Sequence, residues 1–126
     1  MIRYKEIAFI AYAVTRMARS RKFYEKVLGL KPNSFSSGKM KSMWMEYDIG
    51  PGTLAIGVAK EFKPSKQGSS AALEVVDFDA AVGHLKKHRI KFIIGPAEFP
   101  GCRMVMFRDP DGNRIALHQR KRRSGK

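Results

Sequence analysis

Glu74 and His118 are the residues of this 126-residue chain best suited to move a proton. Imidazole titrates in the useful range, and a carboxylate can orient it or share its charge. The pair reads as an acid–base couple or as a polar anchor for a ligand. A histidine near a strand end also occurs as a satisfied or exposed residue without chemistry. Two such groups are too few for a tight structural metal site. In apolar surroundings Glu74 would need a cation or a proton, and Arg108 is a candidate partner. Four methionines come as two matched pairs, Met43 with Met45 and Met104 with Met106. Thioethers make a soft apolar surface that adapts to flat or irregular ligands, and Phe9 and Tyr47 would add stacking faces. The same methionines could equally fill a core or a dimer interface. Cys102, the one cysteine, reads as a structural thiol.

The methionine pairs recur at a spacing of 61, and so do longer stretches of the chain. Residues 14–19 lie over 75–80, 43–48 over 104–109, and 53–56 over 114–117. Each half reads strand, helix, then several strands, giving an α+β chain of two similar modules. A module of about 60 residues leaves much apolar surface wet, so the halves must pack on something, and facing sheets make a cleft.

In module one (about 5–60), alternation predicts a strand over 7–14. A helix from Met17 follows, with Thr15 as a possible cap and Met17, Phe23, Tyr24, Val27 and Leu28 as its buried face. Gly29 supplies a left-handed exit. Residues 33–41 suggest a loop or edge hairpin, and strands over 43–47 and 53–58 close the module. A linker spans about 61–69. Module two (about 70–119) repeats the plan. It has a strand over 70–76, an Asp77-capped helix burying Phe78, Val82 and Leu85, a short strand over 91–94, and a hairpin of 103–108 with 114–119. Pro110, Asp111 and Gly112 mark its turn. If Ile10, Tyr12, Leu73, Val75, Ile115 and Leu117 face the helices, one concave set remains. That set includes Phe9, Met43, Met45, Tyr47, Ala55, Ser70, Glu74, Met104, Met106, Ala116 and His118.

Composition sets the class. A hydrophobic fraction of 44% with eight Phe fits a globular protein, and the length fits one domain, residues 1–126. One cysteine excludes an intramolecular disulfide framework and suits a reducing compartment. Arg3, Lys5 and Glu6 interrupt any opening apolar run, so neither a signal peptide nor a membrane span is expected, and a cytoplasmic location is. The net charge is +14, with five positive charges in the tail 120–126. Such a field favours anionic partners without specifying them. No helix-turn-helix, zinc-finger or aromatic RNA-binding signature accompanies it, so nucleic-acid binding is not expected.

Two stretches, RSRKFYEKVLGL (19–30) and FRDPDGNRIAL (107–117), resemble the paired signatures of the vicinal oxygen chelate superfamily. That group holds glyoxalases, bleomycin-resistance proteins and extradiol dioxygenases, and the likeness covers residues 5–119. It implies two pseudo-symmetric βαβββ modules forming cupped mixed sheets with helices on the convex side, commonly as a homodimer. Family enzymes hold a divalent metal through His, Gln or Glu at four positions, which fall here on Phe9, Ala55, Ser70 and Ala116. Hydrocarbon offers no lone pair and a serine hydroxyl is a poor ligand. The resemblance therefore implies a member lacking the usual metal ligands, with no cofactor and no assigned catalytic residue.

The expectation is a metal-independent protein binding an apolar or aromatic small molecule, uncharged or anionic. Phe9, Met43, Met45, Tyr47, Ser70, Glu74, Met104, Met106, Arg108 and His118 are its candidate ligand-binding residues. The first rival is a lyase, isomerase or dioxygenase, using a divalent metal on displaced ligands or the Glu74–His118 couple without metal. The second is an interaction module whose cup is filled by its own side chains.

Overall fold

The computed structural model describes residues 1–33 and 42–121. The expected loop or hairpin over 33–41 lies, beyond Asn33, outside the described residues, as does the tail from 122 onward. The chain divides into two compact units, Met1–Pro64 and Ser65–Lys126.

In unit one, β1 (Ile10–Ala13) is shorter than its eight-residue alternation. α1 (Met17–Lys22) follows and continues as a π-helical turn, Phe23–Val27. Leu28 N–H reaches back five residues to Phe23 O at 3.1 Å, and Gly29 ends the helix at φ 73°. β2 (Trp44–Ile49) and β3 (Gly52–Gly57) form the hairpin. β3 is central, parallel to β1 and antiparallel to β2.

The helix seals one face of this sheet. Tyr24 is fully buried and stacks on Tyr47, with ring centroids 6.2 Å apart. Tyr47 Oη donates to Glu25 Oε2 at 2.8 Å, and Arg21 grips both oxygens of the same carboxylate. Met45 and Tyr47 lie opposite Ile56 and Leu54, which lie opposite Tyr12 and Ile10 on β1. By strand alternation these six share the helix side.

Unit two carries β4 (Ala71–Glu74), α2 (Phe78–Lys87), β5 (Phe92–Phe99), β6 (Cys102–Arg108) and β7 (Arg114–Arg120). The strand order is β4-β7-β6-β5, with β4 parallel to β7 and the other pairings antiparallel. Asp77 caps α2 as expected, its Oδ1 accepting from Ala80 N–H at 3.0 Å. Phe78, Val82 and Leu85 are the helix's buried stripe. The Arg103 guanidinium lies 4.6 Å from the Phe78 ring centroid, and Phe78 N–H donates to Gln119 Oε1, so Arg103 and Gln119 mark the helix side of the sheet.

β5 runs twice as far as the stretch expected over 91–94. Its pairing with β6 shifts on either side of Ile94. Gly95 has φ 79°, and a Cβ there would lie 2.7 Å from Met104 O. A glycine–proline step permits this close passage while looking like a strand end in the sequence.

Across the units a spacing of 61 relates β1 to β4 and β3 to β7, since Ile10 faces Leu54 as Ala71 faces Ile115. It does not relate β2 to β6. Met45 faces Ile56, whereas Met106 faces Ala116. Six residues separate Tyr47 from its partner Leu54, and seven separate Phe107 from Ile115. The longer β6–β7 turn absorbs one residue, so Trp44 corresponds to Met104, Glu46 to Met106 and Tyr47 to Phe107. A one-residue slip turns every side chain of a strand to its other face.

Candidate functional site

That slip corrects the three members of the expected concave set around β2, Met43, Met45 and Tyr47. Met45 and Tyr47 are fully buried on the helix side of unit one and do not share a face with Phe9. Met43 precedes β2 and is exposed. The face of unit one away from its helix carries instead Ala11 and Ala13 from β1, Ala55 and Gly57 from β3, and Trp44 and Glu46 from β2, with Ala13, Ala55 and Gly57 buried.

The Trp44 indole lies over Gly57, where an added Cβ would meet its ring at 2.7 Å. Phe9, 50% exposed, meets the indole edge-on at 5.5 Å and 87°. Trp44 Nε1 donates to Glu46 Oε2 at 2.8 Å, and Asn33 Nδ2 donates to Glu46 Oε1 and to Asp48 Oδ1. Thr53 Oγ1 also donates to Asp48 Oδ1, at 2.9 Å. The indole is thus fixed by a cross-strand glycine beneath it and a carboxylate at its polar edge. The count of turn residues in 49–52 against 109–113 was the signal that would have found Trp44 and Glu46.

In unit two the expected set holds together. Glu74 faces His118, Met104 faces His118, and Met106 faces Ala116, all on the side away from Arg103 and Gln119. His118 Nδ1 lies 2.6 Å from Glu74 Oε1, while Arg120 N–H donates to Glu74 Oε2 at 2.6 Å. The backbone N–H of Arg120 first, and the His118 ring second, hold the Glu74 carboxyl below its ordinary range. Glu74 is neither strongly desolvated nor paired with Arg108. Its side chain is 47% exposed and that of His118 is 23% exposed. Because an ionised carboxylate only accepts, the contact places the Nδ1 proton toward Glu74 and leaves Nε2 as the ring's outward nitrogen.

Arg108 donates through Nη1 to Lys66 O at 3.0 Å and to Gly112 O at 2.9 Å, tying the start of unit two to its longest turn. Ser70 is exposed and precedes β4. Chemistry by donors is therefore concentrated at Glu74 and His118, and aromatic surface at Phe9 and Trp44.

A metal of the kind the family resemblance implies does not fit these faces. Ala11 faces Ala55 and Ala72 faces Ala116 across the parallel strand pairs, and Phe9 and Ser70 sit two residues upstream. None of these side chains carries a nitrogen or carboxylate donor. Among the described residues, no group of three or more His, Cys, Asp or Glu is placed to hold an ion. No helix among them is long and apolar enough to cross a membrane.

Residues 6–117 match the family model of the Glyoxalase/Bleomycin resistance protein/Dioxygenase superfamily. The uncharacterized protein YaeR of Escherichia coli K12 is 28% identical, the alignment covering 94% of this chain and 99% of that protein. Among solved structures, a putative glyoxalase family protein from Bacillus anthracis superposes with a TM-score of 0.79 at 25% identity, covering 96% of this chain and all of the other. TnmS3, an antibiotic binding protein from Streptomyces sp. CB03234, shares the fold with a TM-score of 0.77 at 22% identity, over 96% of this chain and all of its own.

Proposed function

This chain belongs to the Glyoxalase/Bleomycin resistance protein/Dioxygenase superfamily, and from that premise we propose that it is a metal-independent small-molecule-binding protein. Its ligand is apolar or aromatic, uncharged or anionic, and stacks on the sheet face that carries Phe9 and Trp44. The observation that supports this reading is that face itself. It offers the half-exposed Phe9 ring, a clamped indole that this ring meets edge-on, and one carboxylate already spent on the indole N–H. Aromatic side chains give large contact area at little entropic cost, and a net charge of +14 disfavours cationic ligands. An antibiotic binding protein built on the same fold is consistent with such a role. The domain works as a homodimer in a reducing compartment, as the lone cysteine suits. A monomer by light scattering at micromolar concentration would count against the dimer.

Trp44 is the chain's one tryptophan, so its emission reports directly on the site. A screen of aromatic acids and neutral aromatic antibiotics is expected to find compounds that quench Trp44 and raise Tm together. Trp44→Ala should abolish the Tm response while the protein still folds. A broad library with neither effect would sink the reading. One equivalent of Zn, Ni, Fe or Mn retained through dialysis and lost in His118→Ala would overturn metal independence.

The 2.6 Å contact between Glu74 and His118 favours a second reading, in which the pair acts as an acid–base couple on the bound molecule. Conversion of a ligand found in the screen, abolished by His118→Ala with binding retained, would establish it.

A further inference from the structure

His84 and His88 stand one turn apart on the exposed side of α2, their ring centroids 4.6 Å apart and the rings tilted by 52°. The turn that joins them is closed, with His88 N–H donating to His84 O at 3.2 Å and to Leu85 O at 3.1 Å. The opposite side of the helix is anchored by the burial of Phe78, Val82 and Leu85. The two imidazoles thus stand next to one another at the C-terminal end of an anchored helix.

We propose that His84 and His88 form a surface chelate for a borderline divalent cation of the Cu2+, Ni2+ or Zn2+ class, with one nitrogen of each ring bound to the ion. Imidazole nitrogen suits these ions, and two histidines four apart on one helix face are the spacing that brings both to a single metal. Prior fixing of the backbone removes most of the ordering cost of the second bond. His84 lies in the last turn of α2 and His88 is its C-cap residue, where the partial negative charge of the terminal carbonyls favours a cation. Lys86, Lys87, Arg89 and Lys91 surround the pair with positive charge and work the other way. The site is therefore an exchanging one. Two protein donors leave the remaining coordination positions to water or to a group from another molecule. Within unit two it is separate from Glu74–His118, because α2 packs on the side of its sheet marked by Arg103 and Gln119.

The chain has three histidines, 84, 88 and 118, so the assignment can be tested by elimination. Calorimetric titration with NiCl2 and CuCl2 is expected to show one site per chain. His84→Ala and His88→Ala should each weaken binding by about tenfold or more, and His118→Ala should leave it unchanged. Metal-free Tm values within a few degrees of the parent would show that the variants fold. Within the His88→Ala background, Ala80→His restores the four-residue spacing to His84 and should recover affinity. Lys86→His places the new ring on another side of the helix and should not. Loss of binding in His118→Ala, wild-type affinity in either single variant, equal rescue by both added histidines, or no binding by the wild type at millimolar metal would each overturn the proposal.

Discussion

The two units follow one plan but close their hairpins differently. In unit one β2 turns into β3 through Gly50 and Pro51, with Ile49 directly facing Gly52. In unit two residues 109–113 make the connection, organised around a buried aspartate. Asp109 Oδ1 accepts from the N–H groups of Asp111 and Asn113, and Oδ2 accepts from Asn113 Nδ2, each at 2.9 Å. One extra residue between corresponding positions decides which side chains lie on the sheet face away from the helix. Unit one shows an indole and a carboxylate there, and unit two shows two thioethers. The corresponding interior residues stay interior, Tyr47 in one unit and Phe107 in the other, both fully buried. A duplicated plan therefore conserves what fills the core more strictly than what a turn aims outward.

The largest test of that comparison removes the ring from unit two. Phe107→Ala is expected to cost about 3–5 kcal/mol, from lost transfer energy and the cavity left behind. That is a large share of the stability of an ordinary domain, and urea unfolding would measure it. Tyr47→Phe keeps the ring and deletes one hydrogen bond, for about 1 kcal/mol, since Arg21 still holds Glu25. Equal costs for the two variants would contradict the correspondence.

Next comes the turn. Asp109→Ala strips the acceptor from three donors, among them the N–H and side-chain amide of the buried Asn113. Stranding a buried donor costs about 1–3 kcal/mol, and two of the three are buried, so a total loss of about 2–6 kcal/mol is expected by chemical denaturation. A loss below 1 kcal/mol would mean that the strands alone hold this hairpin.

Tyr47 also separates the units by pH. Burial, and the Glu25 carboxylate beside it, push its phenol well above the ordinary value of 10.0. Above pH 10 the unfolded chain releases this proton while the folded chain keeps it, so stability falls as pH rises. Its slope approaches about 1.4 kcal/mol per pH unit. Glu25 works in the opposite direction. Burial alone would raise its carboxyl, but the Arg21 guanidinium and the Tyr47 hydroxyl outweigh burial and hold it low. Its contribution is present above the ordinary carboxyl value of 4.5 and is lost as pH falls through the lower folded value. Tyr47→Phe should remove its share of the alkaline slope and weaken the acid one. An unchanged alkaline profile would show that the hydroxyl titrates freely.

The sequence was legible wherever period and punctuation agreed. Asp77, the apolar stripe of α2, Gly29 and the 109–113 turn all announce themselves by residue type, and the pairing of Glu74 with His118 followed from alternation along β4 and β7. One spacing does not serve the whole repeat. Asp48 lies over Asp109 at that spacing, yet Asp109 belongs to the longer turn, so the spacing assigns Met45 and Tyr47 to the other face and conceals Trp44. The second half of β5 is hidden in the sequence because Gly95 and Pro96 resemble a strand end. Such errors arise because a strand's faces alternate every residue, so an indel of one carries the largest penalty in inference that the backbone allows.

The smallest effect concerns how the two helices begin. Asp77 caps α2 with its own carboxylate, whereas α1 starts after Arg16, which supplies no side-chain cap and has no acid in the following turn. Thr15, the expected cap, sits one residue too early, and its hydroxyl accepts from Arg19 Nη2 at 3.3 Å instead. Arg16 already has the extended backbone a cap requires, φ −133° and ψ 102°, close to the −131° and 98° of Asp77. Arg16→Asp should therefore stabilise the protein by about 0.5–1 kcal/mol, and Asp77→Ala should cost about 1 kcal/mol. Thermal unfolding of both variants would weigh one end against the other. A gain at position 16 would show that α1 tolerates an open N-terminus at a measurable cost. No gain would mean that the buried Phe23 and Tyr24 already fix the helix so firmly that its first turn adds nothing.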